Sequence, residues 1–242
     1  MNETIRQLNE RKSTRVFLDR EIPQDEKNAI LNAAAQAPTA GNQQLYTIID
    51  VTSQSVKERL VETCDHQPFI ASAKLVLIFC ADCKKWYDAF RFAGCEPRLP
   101  GVGDLLLAVS DANIAAQNAV TAAESLGIGS CYIGDIMENC EEQRALLGLP
   151  EYVFPAAMLV FGYPTEQQKE RQKPRRADMK HIVHENAYRE MDAHELCELF
   201  SIRTEKKTYE DYMKAFCDRK YKSEFSVEMS RSVGKYLKQF ES

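Results

Sequence analysis

Between Asp104 and Leu126 the chain carries Leu105, Leu106, Val109, Ile114, Ala115, Ala116, Ala119, Val120, Ala122 and Ala123, with no proline or glycine until Gly127 ends the run. The period and the glycine stop make this a helix. Its apolar residues spread around too much of the circumference for a helix with one buried stripe. The many alanines let a second element approach closely. The segment therefore reads as a long, central, buried helix, able to pack against its twofold mate.

The 242 residues are 44% hydrophobic and 28% charged, with a formal net charge of −5. That is enough chain for one large core, and a single domain over residues 1–242 is the expectation, with a polar connection and a helical extension from 165 to 242. Apolar stretches such as Leu75 to Ala81 and Phe154 to Phe161 fall far short of the roughly 20 residues of a membrane span. Met1 to Glu10 lacks the apolar region of a secretory signal, so a cytoplasmic location is expected. The acidic balance argues against nucleic acid as a partner, since phosphate contacts need an extended basic face. Small molecules are the better partners. Eight cysteines (64, 80, 83, 95, 131, 140, 197, 217) are scattered through apolar helix and strand patterns and read as reduced, buried thiols.

Ile5 and Leu8 mark a short amphipathic helix. Pro23 opens a stronger one, with Asp25 and Glu26 in its first turn, Ile30, Leu31, Ala34 and Ala35 on its apolar face, and Pro38 as its stop. Strands fit Tyr46 to Val51, Leu75 to Ala81, Cys131 to Ile133 and Ala156 to Phe161. Ser55-Val56-Lys57-Glu58 has a capping-box pattern opening a helix to about Cys64. Leu196, Leu199, Phe200, Tyr209, Tyr212, Met213, Phe216, Val233, Tyr236, Leu237 and Phe240 mark a charge-rich helical tail after the polar stretch Thr165 to Arg176, one that could wrap over a partner subunit.

Two basic runs stand out against the negative balance: Arg11-Lys12-Ser13-Thr14-Arg15 and, after Phe161-Gly162-Tyr163-Pro164, Lys173-Pro174-Arg175-Arg176. Each lies at an element boundary, where a fold can gather guanidinium and ammonium groups around one phosphate. Ala37-Pro38-Thr39-Ala40-Gly41-Asn42-Gln43-Gln44 joins a helix to a strand through small and amide residues, suited either to a plain turn or to backbone approach by a flat ligand. Gly129-Ser130-Cys131-Tyr132-Ile133-Gly134-Asp135 ends a strand with backbone N–H groups that could face a ring heteroatom. Gly101-Val102-Gly103 and Gly127-Ile128-Gly129 each lack the third glycine of a dinucleotide fingerprint, and the chain has no Walker phosphate loop.

In this order, Arg-x-Ser-x-Arg, Ala-Pro-Thr-Ala-Gly-Asn, Tyr-Ile-Gly and Gly-Tyr-Pro followed by Lys-Pro-Arg resemble the FMN-dependent nitroreductase superfamily. Together with the length and the tail from Glu228-Met229-Ser230-Arg231-Ser232 to Tyr236-Leu237, they are most similar to the branch of NADPH-dependent oxygen-insensitive nitroreductases and flavin reductases. The resemblance implies an α+β fold: a three-layer α/β/α sandwich with a mixed, mostly antiparallel sheet, a long central helix and an extended helical tail. It implies an obligate homodimer with FMN at its interface. Arg11, Lys12, Ser13 and Arg15 would then hold the FMN phosphate and ribityl chain, with Lys173 and Arg175 closing on the same phosphate. Thr39 and Asn42 would lie near the flavin, where Ala40 replaces a hydroxyl often found. Gln67 would contact the ring or ribityl, and Tyr132, Ile133, Gly134 and Asp135 would approach the N5 edge, Asp135 in place of the glycine common in this branch. Arg203, Arg219, Lys220 and Lys222 would meet the NADPH phosphates, or else form a solvated helix face. With the redox chemistry supplied by the flavin, no protein nucleophile is needed. Hydride would pass from NADPH to N5 and two electrons onward, by a ping-pong cycle, to a nitroaromatic, quinone, azo compound or free flavin.

Other readings compete. Cys80-Ala81-Asp82-Cys83, between a strand and a helix, has the setting of a thiol–disulfide redox pair. The chain could also carry or sense FMN without turning over NADPH. Cys64, Cys95 and His66 lack metal-ligand spacing, and His181 and His184 read as surface histidines. Trp86, Tyr87, Phe90 and Phe92 would either pack in the core or line an acceptor pocket.

Overall fold

The computed structural model describes residues 1–204 and 208–241. In chain order its elements are α1 (Glu3–Glu10), α2 (Gln24–Ala35), β1 (Tyr46–Asp50), α3 (Gln54–Thr63), α4 (Phe69–Ser72), β2 (Leu75–Asp82), α5 (Lys84–Phe92) and α6 (Val102–Ser125). There follow β3 (Gly129–Ile133), α7 (Cys140–Leu147), β4 (Val153–Gly162), α8 (Glu166–Glu170), α9 (Ala193–Phe200), α10 (Tyr209–Tyr221) and α11 (Glu224–Leu237). The chain divides into two compact units, one of Met1–Arg171 with the residues from Glu228 onward, the other Gln172–Val227.

The four strands pair antiparallel in the order β1-β2-β4-β3, so the two longest lie in the middle. A central strand covered on both faces must be apolar throughout, and every residue of β2 and β4 is buried. Alternation survives beneath that uniformity. Leu75, Leu77, Phe79 and Ala81 face one core, while Val76, Ile78 and Cys80 face a second on the other side of the sheet. In β4 the alternation changes parity: Phe154 and Ala156, then Leu159 and Phe161, face the first core. A bulge opposite Phe79 and Cys80 is responsible, since Cys80 pairs with Pro155 and Phe79 with Ala157, leaving Ala156 extra. Pro155, with no N–H to donate, is accommodated there, so β4 begins at Val153 rather than at the expected Ala156.

The first core lies between the sheet and α2 and α6. Ala108, Ala112, Ala115, Ala116, Ala119 and Ala123 of α6 are fully buried, and Tyr236 and Phe240 from the chain's end close the same core. The helix is buried on one side only, since Leu106, Leu107 and Ile114 remain exposed. At its start the Asp104 carboxylate accepts from the Gly101 amide at 2.8 Å, and at its end Gly127 takes φ +73°. The second core gathers Leu60 of α3, Ile70 of α4 and Ile136 against the sheet, with α7 beside them. These layers make the α+β sandwich. The helix over 54–63 is capped differently from the sequence expectation: Ser53 is its N-cap residue, and Ser55 lies inside the first turn with its Oγ 2.8 Å from that of Ser53.

Residues Ser13 to Leu18 cross the ends of β3 and β4. The Thr14 amide donates to the Ser130 carbonyl at 2.9 Å, the Leu18 amide donates to the Tyr163 carbonyl at 2.8 Å, and Phe17 bridges Pro164. The parallel bridge from Ser13 to Ser130 adds a mixed pairing to the antiparallel sheet. The crossing needs glycine beneath it, because a Cβ on Gly162 would stand 2.7 Å from the Phe17 ring. Gly162→Ala should therefore destabilise the protein by about 1 to 3 kcal/mol through overpacking, read from denaturant midpoints; an unchanged midpoint would show that Phe17 moves freely.

Candidate functional site

The Arg11–Arg15 run leaves α1 and is pinned along Ser130 by the bonds just described. Gly129 permits this closeness, since any Cβ there would collide with the Thr14 side chain. The segment around α8 meets the run from the other side. The Lys12 ammonium donates to the Lys169 carbonyl, the Arg15 amide donates to Gln168 Oε1 at 3.3 Å, and the Arg171 guanidinium donates to the Ser13 carbonyl. Arg171 was no sequence candidate, although it stands only two residues before Lys173 and extends that basic run.

Arg11 is half-buried, and its Nε and Nη2 have no hydrogen-bond partner among the described residues. A buried guanidinium with idle donors is costly, and an anion would relieve that cost. Nearby, burial pushes the Tyr132 phenol up to about 12 against the opposing pull of the Arg11 charge, and Tyr132 reaches Gln117 of α6 at 3.4 Å. Beyond Tyr132, β3 ends at Ile133 and the chain turns at Gly134, which is exposed, with nothing near the place of a Cβ. Asp135 accepts from Gln67 Nε2 at 3.1 Å, and the same nitrogen donates to the Cys64 carbonyl at 3.0 Å. The Arg15 guanidinium lies 5.9 Å from the centre of the Phe69 ring, just after Gln67. The basic run, Gln67 and the end of β3 are thus joined around one corner of the sheet.

Sequence reasoning missed Glu138 at this corner. Only 6% exposed, it packs among Asp135, Asp65 and Glu228, and its Oε1 has no partner among the described residues. Burial, then the neighbouring carboxylates, push its carboxyl up to about 7.

Thr39 and Asn42 are placed by a different anchor. Asp111, 3% exposed on α6, accepts from the Thr39 hydroxyl, from the Ala40 amide at 3.0 Å and from the Leu45 amide at 3.2 Å. The Thr39 hydroxyl itself accepts from the Gln44 amide at 2.7 Å, so it is already engaged by the loop. Asn42 is exposed, with φ +57°. Asp111 is a buried acid that the sequence did not signal, since it shares its helix with Ser110, Asn113, Gln117 and Asn118. Next to the loop, Trp86, Tyr87 and Phe90 line a cleft of about 300 Å³ with Leu107 and Gln43, whereas Phe92 is 95% exposed and takes no part.

Lys173 and Arg175 belong to the second unit, as do the four residues assigned to NADPH phosphates. Within that unit the Arg203 and Arg219 guanidinium groups lie 6.0 and 5.1 Å from the Phe216 ring centre, which stacks on Tyr212. Lys220 lies 5.4 Å from the Phe225 ring, and Lys222 pairs with Asp218 at 2.8 Å. His181, expected at the surface, is buried beside Glu198, because Met179–His181 folds as a turn that tucks the imidazole inward. His184 accepts from the Arg189 amide at 3.1 Å.

The cysteine pair cannot act as a dithiol. Cys80 lies in one core and Cys83 in the other, on opposite sides of the sheet, and burial pushes both thiols up to about 12. Cys64, Cys131 and Cys140 are also buried, but Cys95, Cys197 and Cys217 are exposed, contrary to the expectation of burial throughout. Among the described residues no group of three or more metal-binding side chains forms, and no helix is long and apolar enough to cross a membrane.

Two outcomes follow from these contacts. Asp111→Asn places an amide NH2 against backbone donors and should cost about 2 to 3 kcal/mol of stability; unfolding at the wild-type midpoint would refute the anchor. Glu138, ordinarily titrating at 4.5, keeps its proton to about 7 in the folded state. The unfolded chain ionises first, so stability declines as pH rises from about 4.5 to about 7, and the loss persists above. Glu138→Gln should stabilise the protein at about pH 8 and change it little at about pH 4, in paired denaturant titrations.

Residues 8–163 match the nitroreductase family model. An FMN reductase [NAD(P)H] of Bacillus subtilis is 30% identical over 98% of this chain and 91% of its own length. An oxygen-insensitive NADPH nitroreductase of Salmonella typhimurium is 35% identical over 79% of this chain and 77% of its own. Among solved structures, NfrA2 of B. megaterium superposes with a TM-score of 0.85 at 30% identity, covering all of both chains. The architecture and these matches agree: the chain belongs to the nitroreductase family.

Proposed function

We propose that this protein is a cytoplasmic, homodimeric FMN-dependent oxidoreductase that takes hydride from NAD(P)H and delivers two electrons to a nitroaromatic, quinone, azo compound or free flavin. The observation that carries the reading is Arg11, whose buried and unpartnered guanidinium nitrogens await an anion beside the end of β3. The residues present fit FMN. Arg11, Lys12, Ser13, Arg15 and Arg171 would neutralise and orient its phosphate, with Lys173 and Arg175 assigned to the same group by the family resemblance. Gly134 offers an open backbone corner for the flat ring, and Gln67, held by Asp135, would hydrogen-bond it.

FMN, when bound, supplies a hydride-accepting N5, so one donor can reduce it, depart, and leave its place to the acceptor in a ping-pong cycle. The protein's share is to hold the ring, to exclude water from one face and to present donors to it. The Arg203, Arg219 and Phe216 cluster has the cation and ring surfaces suited to an adenosine phosphate, and it supports assigning the donor's phosphates to the second unit. Leu106, Leu107 and Ile114 of α6, with Ile5 and Leu8 of α1, leave an exposed apolar face that fits a second copy. In such a dimer the Thr39 to Asn42 loop of one protomer would serve the flavin of the other.

An anaerobic NADPH titration of flavin-loaded protein tests the reading. Bleaching at one NADPH per flavin, reversed by a quinone, is expected; flavin that stays oxidised would point to another donor or to a carrier role. Arg15→Ala and Arg175→Ala should each weaken FMN by about 1.5 to 3 kcal/mol, the strength of a charge-assisted hydrogen bond. Equal affinities for wild type and both variants, measured by fluorescence, would remove the phosphate assignment.

A further inference from the structure

The candidate flavin corner holds more acid than it needs for binding. Asp135 follows Gly134 directly and is fixed by Gln67, while Glu138 stands one turn later, its amide donating to the Asp135 carbonyl at 3.0 Å. The Glu138 carboxyl is within hydrogen-bonding reach of Asp135. The groups that act most strongly on it are carboxylates. Asp65 approaches from the loop after α3, and Glu228 from α11, where its own charge is shared with Arg231 at 2.7 Å and with the Asn139 amide at 3.1 Å. Arg231, on that helix, is engaged by Glu228 and Glu141. A side chain buried to this degree, with one oxygen unpartnered, cannot be a plain carboxylate at low cost.

We propose that Glu138 holds a proton against Asp135 and so sets the charge that the Gly134–Asp135 corner presents to its ligand: one negative charge across the pair while the proton stays, two once it leaves. Gln67 holds Asp135 in place, so the charged oxygen of the pair stays at the corner. The proton is lost near neutral pH, in keeping with the upward displacement of the Glu138 carboxyl to about 7. Glu138 is a positioning residue: it acts through Asp135 and need not touch the ligand.

For the flavin the consequence rests on the function proposed above. A ring that gains negative charge on reduction is disfavoured by each carboxylate beside it, so the doubly charged pair makes reduction harder and the protonated pair makes it easier. The corner would therefore link flavin potential to pH by a route separate from the flavin's own protonation.

The test has a ligand-free arm and a flavin arm. In protein without FMN, infrared difference spectra should show a protonated carboxylic acid that persists at about pH 6 and is gone by about pH 8. Glu138→Gln should remove that band. Asp135→Asn should move its titration down toward the ordinary glutamate range, which keeps the assignment testable if the first variant folds poorly. In the flavin arm, potentiometry of wild type should show the affinity for reduced over oxidised flavin falling by an extra factor of about ten above the transition, the order of one charge added at a partly buried position. Glu138→Gln, neutral at every pH, should lack that extra fall. A band that titrates at the ordinary glutamate value, or one that survives Glu138→Gln, overturns the proton assignment. Identical potential–pH curves for wild type and Glu138→Gln overturn the charge linkage. Wild-type protein that retains no flavin overturns the functional reading instead, while the ligand-free spectra still decide the pair.

Discussion

A helix can lie against a sheet only as closely as its side chains allow, and α6 approaches on alanine. Small residues at 108, 112, 115, 116, 119 and 123 let its axis sink toward β2 and β4, whose large residues, Leu77, Phe79, Leu159 and Phe161, fill the remaining space. With the helix fixed at that depth, two polar residues on it become anchors. Asp111 gathers the loop from Thr39 to Leu45, and Gln117 meets the Tyr132 hydroxyl at the other end of the site. Larger residues at the alanine positions would lift both anchors away from their partners.

The corner where β3 ends combines two kinds of close approach. Glycine at 129 and 162 lets the basic N-terminal segment lie directly on the sheet, so its cations are held by backbone bonds rather than by long flexible contacts. On the other side of the corner stand the carboxyl groups of Asp135 and Glu138. Positive charge on one flank and carboxyl groups on the other give the corner an electrostatic direction.

Much of this was legible from the residues. The strand positions and the central helix followed from periodicity and glycine stops, and local charge against an acidic background singled out Arg11 to Arg15. What escaped depends on partners distant in sequence. The strand expected from Ala156 begins at Val153, because the bulge that accommodates Pro155 forms only against Cys80. Ser55 had the spacing of a cap, yet the chain geometry put the helix start at Ser53. The hold of Asp111 on the Thr39 hydroxyl joins residues far apart in the chain, and no local pattern announces it. Glu138 has no sequence signature at all, since its displaced carboxyl arises from burial among three acids contributed by separate elements.

Tyr236 and Phe240 are fully or almost fully buried in a core whose other walls include Ile30, Leu77 and Ala115. The first unit is consequently discontinuous: most of it is synthesised early, but it is sealed by residues that leave the ribosome after the whole of the second unit. A nascent chain must expose an open apolar cleft throughout that interval. Loss of Tyr236 and Phe240 would thus leave the first core open on one side, and such a chain is a substrate for chaperones and proteases rather than a shorter enzyme.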